Sequence, residues 1–204
     1  MVANPVPRAQ RADARRSIER ILDAAVDELA RDPEASMSAI AERAGVVRAT
    51  VYVHFPTREA LIAAVTERAM RESAEAIQAA APDDGDPLEA LERVLSAAWQ
   101  VLARHHALVV INTRGESEAV REMHGPVLGP LEPLLRRGQD AGVFDAEVNT
   151  DWLLTVTLEL IHAASREITA GRMSHDEAEA ALRSAVIGAL TPEPRARRGR
   201  AGTS

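Results

Sequence analysis

The sequence contains no cysteine and no lysine, and its aromatics are scarce: two Phe, two Trp and one Tyr in 204 residues. Without cysteine there can be no disulfide, no thiolate metal site and no thiol nucleophile. No apolar run approaches the roughly 20 residues that a membrane span needs, so no membrane partner is expected. The opening stretch MVANPVPRAQRADARRS has no apolar centre of the kind a signal peptide carries, which predicts a cytoplasmic location. Runs of β-branched or aromatic residues are few, whereas Ala and Leu dominate, and an all-helical fold follows as the leading expectation.

Every one of the 24 basic residues is Arg, against 31 acids, for a net charge of −7. That balance at first argues against nucleic acid, but the distribution is uneven. Residues 1–60 hold nine Arg and nine acids; residues 61–190 hold 11 Arg and 21 acids; the tail 191–204 holds four Arg and one Glu. Within 36–58, Arg43, Arg48 and Arg58 face Glu42 alone. A small, mildly basic head therefore precedes a large acidic body, a split that suggests two tasks.

Residues 1–13, with their Pro and Arg, read as a disordered arm, and the Arg-rich end 191–204 as a disordered basic tail. From about residue 14, Ile18, Ile21, Leu22, Ala25 and Leu29 recur at three- and four-residue steps, an amphipathic helix that Asp32-Pro33 stops. Ser36 can cap a short helix carrying Met37, Ile40 and Ala41 inward, and Gly45 ends it. A second short helix spans roughly 48–54, and Pro56-Thr57 recaps the chain for a long helix with Leu61, Ile62, Val65, Ala69 and Ile77 along one face. APDDGDP, 81–87, is a linker. Beyond it come a strong helical stripe through Leu88, Leu91, Val94, Leu95, Ala98, Trp99 and Leu102, and then the run HHALVVINT, 105–113, also read as helix. A helix broken by Gly125-Pro126, Gly129-Pro130 and Pro133 follows, ending at Gly142. Residues 151–168 are apolar on more than one face, so that helix must bury two sides. Ser174 and Glu177 form a capping box for a last helix over 178–190.

Two short helices joined by a three-residue turn with a glycine, behind a long helix, spell a helix-turn-helix. The second is short and begins with small residues, Ala49 and Thr50, so it can enter a DNA major groove about 12 Å wide. In VVRATVYVHF, 46–55, which concentrates the only Tyr, a His and one of two Phe in four positions, Val46, Val51 and Phe55 are spaced to face inward. Arg48, Thr50, Tyr52 and His54 are left outside. Tyr52 offers a flat ring and a hydroxyl for a phosphate oxygen; Arg48 can reach a phosphate or a guanine edge.

The run SMSAIAERAGVVRATVYVHFPTREALI resembles the N-terminal DNA-binding domain of the TetR family of bacterial repressors. The matching residues are Ile40-Ala41, Ala44-Gly45-Val46, Thr50-Val51-Tyr52, His54-Phe55 and Arg58-Glu59-Ala60-Leu61, and with the first helix the match covers about 14–65. The resemblance implies an all-α chain: a three-helix helix-turn-helix head over 14–58, then a larger helical ligand-binding and dimerisation bundle over 59–190. It places Arg48, Ala49 and Thr50 against bases or backbone, and Tyr52, His54 and Arg58 against phosphates; Ser36, Ser38, Val47 and Thr57 complete the expected DNA-facing set. Two positions depart from the family pattern. Val47 stands where a Ser or Thr commonly caps the recognition helix, and Asp32-Pro33-Glu34 replaces a glycine-containing turn.

The same resemblance implies a dimeric regulator, a repressor, that a small molecule releases from a palindromic operator. The helices 151–170 and 175–190 would pair with their copies in a four-helix interface, which accounts for the two-sided apolar surface of the first. Candidate ligand-lining residues, chosen by position, are Trp99, Leu102, His106, Asn112, Met123, Trp152, Glu159 and His162. His162 and Glu159 fit either a polar pair at the dimer interface or anchors in a cavity. No metal and no cofactor is expected: His105 and His106 point about 100° apart on a helix, and no His-Glu-x-x-His pattern is present. No nucleophile or acid–base set suggests an enzyme. The alternative is a DNA-binding regulator whose C-terminal half only dimerises.

Overall fold

The computed structural model describes residues 8–112 and 117–192, and among them every regular element is helical. The helices are α1 (Arg8–Arg31), α2 (Met37–Ala44), α3 (Arg48–His54), α4 (Arg58–Ala79), α5 (Pro87–Asn112), α6 (Ser117–Leu128), α7 (Leu131–Asp140), α8 (Thr150–Thr169) and α9 (His175–Leu190). Helix α1 already begins at Arg8, upstream of the residue 14 expected from periodicity. The sequence of its first turns, RAQRAD, has no apolar residues at helical spacing beyond alanine, so periodicity could not reveal them. The rest of the arm and the basic tail beyond 192 lie outside the described residues.

Two cores organise the chain. The first gathers Ile21, Leu22, Ala25 and Leu29 of α1, Met37, Ile40 and Ala41 of α2, Val51 and Phe55, and Leu61, Ile62, Val65 and Ala69 of α4. Each fully buried aliphatic side chain here contributes about 1.5–3 kcal/mol, which lets a unit this small hold its shape. The second core gathers Leu91, Val94, Leu95 and Trp99 of α5, Leu134 and Leu135 of α7, Phe144, Leu153 and Leu154 of α8, and Leu182, Val186 and Leu190 of α9, with Ile77 of α4. Helix α4 thus supplies its N-terminal half to one core and its C-terminal half to the other.

The proline-rich stretch breaks once, not repeatedly. Pro126 lies inside α6, and the helix runs on to Leu128. The break falls at Gly129-Pro130 instead. Pro133 sits in the first turn of α7, where a backbone N–H has no intrahelical acceptor, so its missing donor costs nothing. After α7 the chain folds back and lays the Phe144 ring on Gly138; a Cβ at that glycine would meet the ring at 2.0 Å.

Candidate nucleic-acid interface and ligand cavity

The head is held by local signals that the residues supply one by one. Ser36 Oγ accepts from the Ala39 N–H at 3.2 Å and starts α2. Gly45 ends it with φ at 65°, a left-handed conformation in which any side chain is strained. Val47 opens α3 with extended backbone but no side-chain bond to the helix. Thr57 Oγ1 accepts from the Ala60 N–H at 3.1 Å and starts α4. Arg43 donates to Asp27 of α1 at 2.7 Å and lies 3.9 Å from Glu28, and the hydrogen bond to Asp27 raises its pKa further.

Val51 and Phe55 are buried and fasten α3 to the head, with Val46 packed against the same core. Arg48, Ala49, Tyr52 and Val53 are exposed, while Thr50 and His54 are half-buried. Arg48 donates to the Tyr52 hydroxyl at 3.1 Å, and its guanidinium carbon lies 5.2 Å from the ring centroid. The pair is one preorganised polar unit on the outer face. Among the described residues only four large hydrophobics are exposed, and three are at this helix: Val47 at 71%, Val53 at 77% and Tyr52. Exposed apolar groups beside an arginine suit a groove where thymine methyls alternate with guanine acceptors. Val53 is absent from the sequence-based set, yet its spacing held the signal: two positions from inward Val51, it must point away.

The body contains a cavity of about 60 Å³ between α4, α5, α6 and α8, with Thr66, Ala69, Met70, Ser73, Leu102, His105, Leu108, Asn112, Met123, His124, Leu158, Ile161 and His162 among its lining. Among the described residues the lining is aliphatic apart from three imidazoles, two hydroxyls, two thioethers and an amide. Asn112 Nδ2 donates to Thr66 Oγ1 at 2.9 Å. His162 Nε2 lies 3.4 Å from His124 Nε2, with the rings edge-on. Burial, then the neighbouring His124 and Arg166, push the His162 pKa down to about 4. An open cleft between α4 and α6 shares Thr66, Met70, Asn112 and Met123 with this cavity and adds Glu67 and Arg71 at its outer side.

Comparison with known proteins converges on one family. Residues 21–65 match the bacterial regulatory proteins of the tetR family. The chain is 27% identical over 158 residues to the HTH-type transcriptional regulator NfxB of Pseudomonas aeruginosa, covering 72% of this chain and 82% of that protein. It is 25% identical over 185 residues to the HTH-type transcriptional repressor NicS of Pseudomonas putida, covering 84% and 86%. The fold matches the crystal structure of the TetR-like regulator LfrR from Mycobacterium smegmatis in complex with proflavine, at a TM-score of 0.67 and 24% identity over 88% of this chain and 99% of that one. The head of the chain, residues 21–65, is a TetR-family DNA-binding domain.

With that head, and with HTH-type transcriptional regulators as relatives, the protein is a DNA-binding regulator and not an enzyme. Of the expected DNA-facing residues, Ser36, Ser38, Val47, Arg48, Ala49, Tyr52 and Thr57 are exposed, and Thr50 and His54 are half-buried. Arg58 is also bonded within the head. Its guanidinium donates to the Pro33 carbonyl and braces α4 against the turn after α1. The expected ligand residues divide. Leu102, Asn112, Met123 and His162 line the cavity. Trp99 is packed solid into the body core. His106 packs edge-on against His175, Trp152 is 61% exposed on α8, and Glu159 is exposed. Position along a helix gives only the angle of a side chain; which neighbour that angle meets depends on the crossing of four helices. His105 and His124 enter the cavity unannounced for the same reason.

A buried arginine links head and body. Arg68 of α4 is 8% exposed. Its Nη1 lies 2.7 Å from Asp23 and 3.6 Å from Glu19, both on α1, and its Nε 3.6 Å from Glu72. Glu72 in turn lies 3.3 Å from Nε2 of His105 in the cavity wall. Among the described residues, no helix is long and apolar enough to cross a membrane.

Proposed function

We propose that the protein is a homodimeric repressor, released from a palindromic operator when a small molecule enters the cavity between α4, α5, α6 and α8. The observation that carries this reading is the position of the cavity on α4. Thr66, Ala69, Met70 and Ser73 of α4 line it, where the helix passes from its last head-core residue, Ala69, towards Ile77 in the body core. At about 60 Å³ the cavity is well below the roughly 300–1,000 Å³ of a ligand-filled site. A ligand must therefore part these helices, and α4 carries the displacement into the head. The ligand shifts DNA affinity only through its preference for the parted state, typically about 1–3 kcal/mol.

Support for dimerisation comes from the outer faces of α8 and α9. Trp152 is exposed and Val156 and Leu160 are half-exposed on α8, while Ala181, Ser184, Ala185, Gly188 and Ala189 are exposed on α9. Small residues on one helix and apolar ones on the other allow close approach of a second copy. Two α3 helices would then meet successive major-groove half-sites. The relative NicS is named a repressor, and LfrR holds proflavine. A body serving dimerisation alone would have no need of a cavity whose aliphatic wall carries buried imidazoles.

The test is selection of bound fragments from random duplex DNA at about 0.15 M salt, with Tyr52→Ala in parallel. A palindrome is expected, lost in the variant, with affinity falling steeply as salt rises. A protein that sediments as a monomer at micromolar concentration, or that enriches no palindrome, overturns the reading.

A further inference from the structure

The cavity wall carries a chemical preference. His105 is buried and its Nε2 lies 3.3 Å from the Glu72 carboxylate, which can only accept, so Nε2 carries the hydrogen. That tautomer leaves Nδ1 as a bare acceptor, and among the described residues it is buried without a hydrogen-bond partner. A buried polar atom left unpaired is costly, and a ligand that answers it recovers that cost. His124 and His162 add two more imidazoles to the same wall. Among the described residues no Asp or Glu lines the cavity, and no Phe, Tyr or Trp does either. A permanently cationic guest would find neither a counter-charge nor an aromatic face. An anion would find proton acceptors that can become its counter-ions.

We infer that the cavity is built for a mostly aliphatic weak acid, whose anionic group pairs with a protonated His105 while the chain lies along Leu102, Leu108, Val109, Leu158 and Ile161. The inference rests on the ligand-binding reading above and names the class of molecule. The proton is taken from solvent onto Nδ1, and Nε2–H continues to donate to Glu72; no bond in the ligand changes. The charged groups facing His105 are Glu72 and Arg68 of α4 and Arg104 of its own helix, with Glu19 and Asp23 of α1 behind Arg68. His162 faces His124 of α6 and Glu159 and Arg166 of its own helix. In the empty cavity burial outweighs Glu72 and holds the His105 pKa below its usual value. An anion reverses that sign, so the complex binds more protons than the free protein and affinity rises as pH falls.

Three probes of matched length separate the possibilities: decanoate, decanol and decyltrimethylammonium, titrated calorimetrically into the full chain in buffers of different ionisation enthalpy. Decanoate is expected to bind most tightly, with uptake of about one proton and affinity rising up to about tenfold for each pH unit from 8 to 6. His105→Gln, which keeps the volume and a donor but takes up no proton, should remove the uptake; His175→Gln, outside the cavity, should not. Tighter binding of the cation, or decanoate binding without proton uptake by the wild-type protein, overturns the weak-acid assignment and leaves the cavity as a ligand site. Failure of all three to bind overturns both.

Discussion

Replacing Arg68 by Met tests whether head and body are joined by charge or only by packing. The side chain is almost fully buried, but its carboxylate partners are not: Asp23 and Glu19 are 71% and 64% exposed and Glu72 31%. A charge-assisted hydrogen bond contributes about 1.5–3 kcal/mol where solvent is excluded, and an exposed pair about 0–1. The 2.7 Å bond to Asp23 lies between those limits, and the two pairs at 3.6 Å add a few tenths each. Methionine fills the slot and relieves the desolvation of the guanidinium. The carboxylates return to water, so no buried charge is stranded. The net loss is about 1–2 kcal/mol, or roughly 2–8 °C in Tm for a chain of this length. Urea unfolding at low salt and at 1 M NaCl measures it. Because the partners are exposed and the screening length at 1 M is only about 3 Å, most of the difference should vanish in high salt. An Arg68→Met protein as stable as wild type at low salt, or a deficit that persists unchanged at 1 M, would refute the ionic latch and leave Arg68 as filler.

Three further outcomes follow from single features. Gly138→Ala should destabilise by about 1–3 kcal/mol in chemical denaturation, because its Cβ overlaps the buried Phe144 ring. Val47→Ser should stabilise by about 0.5–1 kcal/mol: the backbone is already in cap geometry with no side-chain bond, and the valine is largely exposed. His162 is held neutral with its pKa pushed to about 4, below the value near 6.5 of the unfolded chain. Below about pH 6.5 the unfolded state therefore binds the extra proton, and stability falls towards pH 4 by up to about 1.4 kcal/mol per unit. Urea midpoints across that range, with His162→Leu flattening the slope, check the sign.

The head was legible because its signals are local. Ser36, Gly45 and Thr57 act on backbone within three or four residues, and a seven-residue α3 has one face for Val51 and Phe55 and another for Arg48 and Tyr52. Those relations hold whatever the rest of the chain does. Likewise the Ser174–Glu177 capping box appears as read, with the Glu177 side chain bonded back to the Ser174 N–H. The body was legible only as helices. That Arg58 reaches back to Pro33, that Arg68 bridges to α1, and that His105, His124 and His162 meet in one wall depend on contacts 25 to 45 residues apart or on separate helices. Helical periodicity states that a side chain points inward. Only the crossing of α4, α5, α6 and α8 determines whether inward means solid core, as for Trp99, or an empty space lined with imidazole.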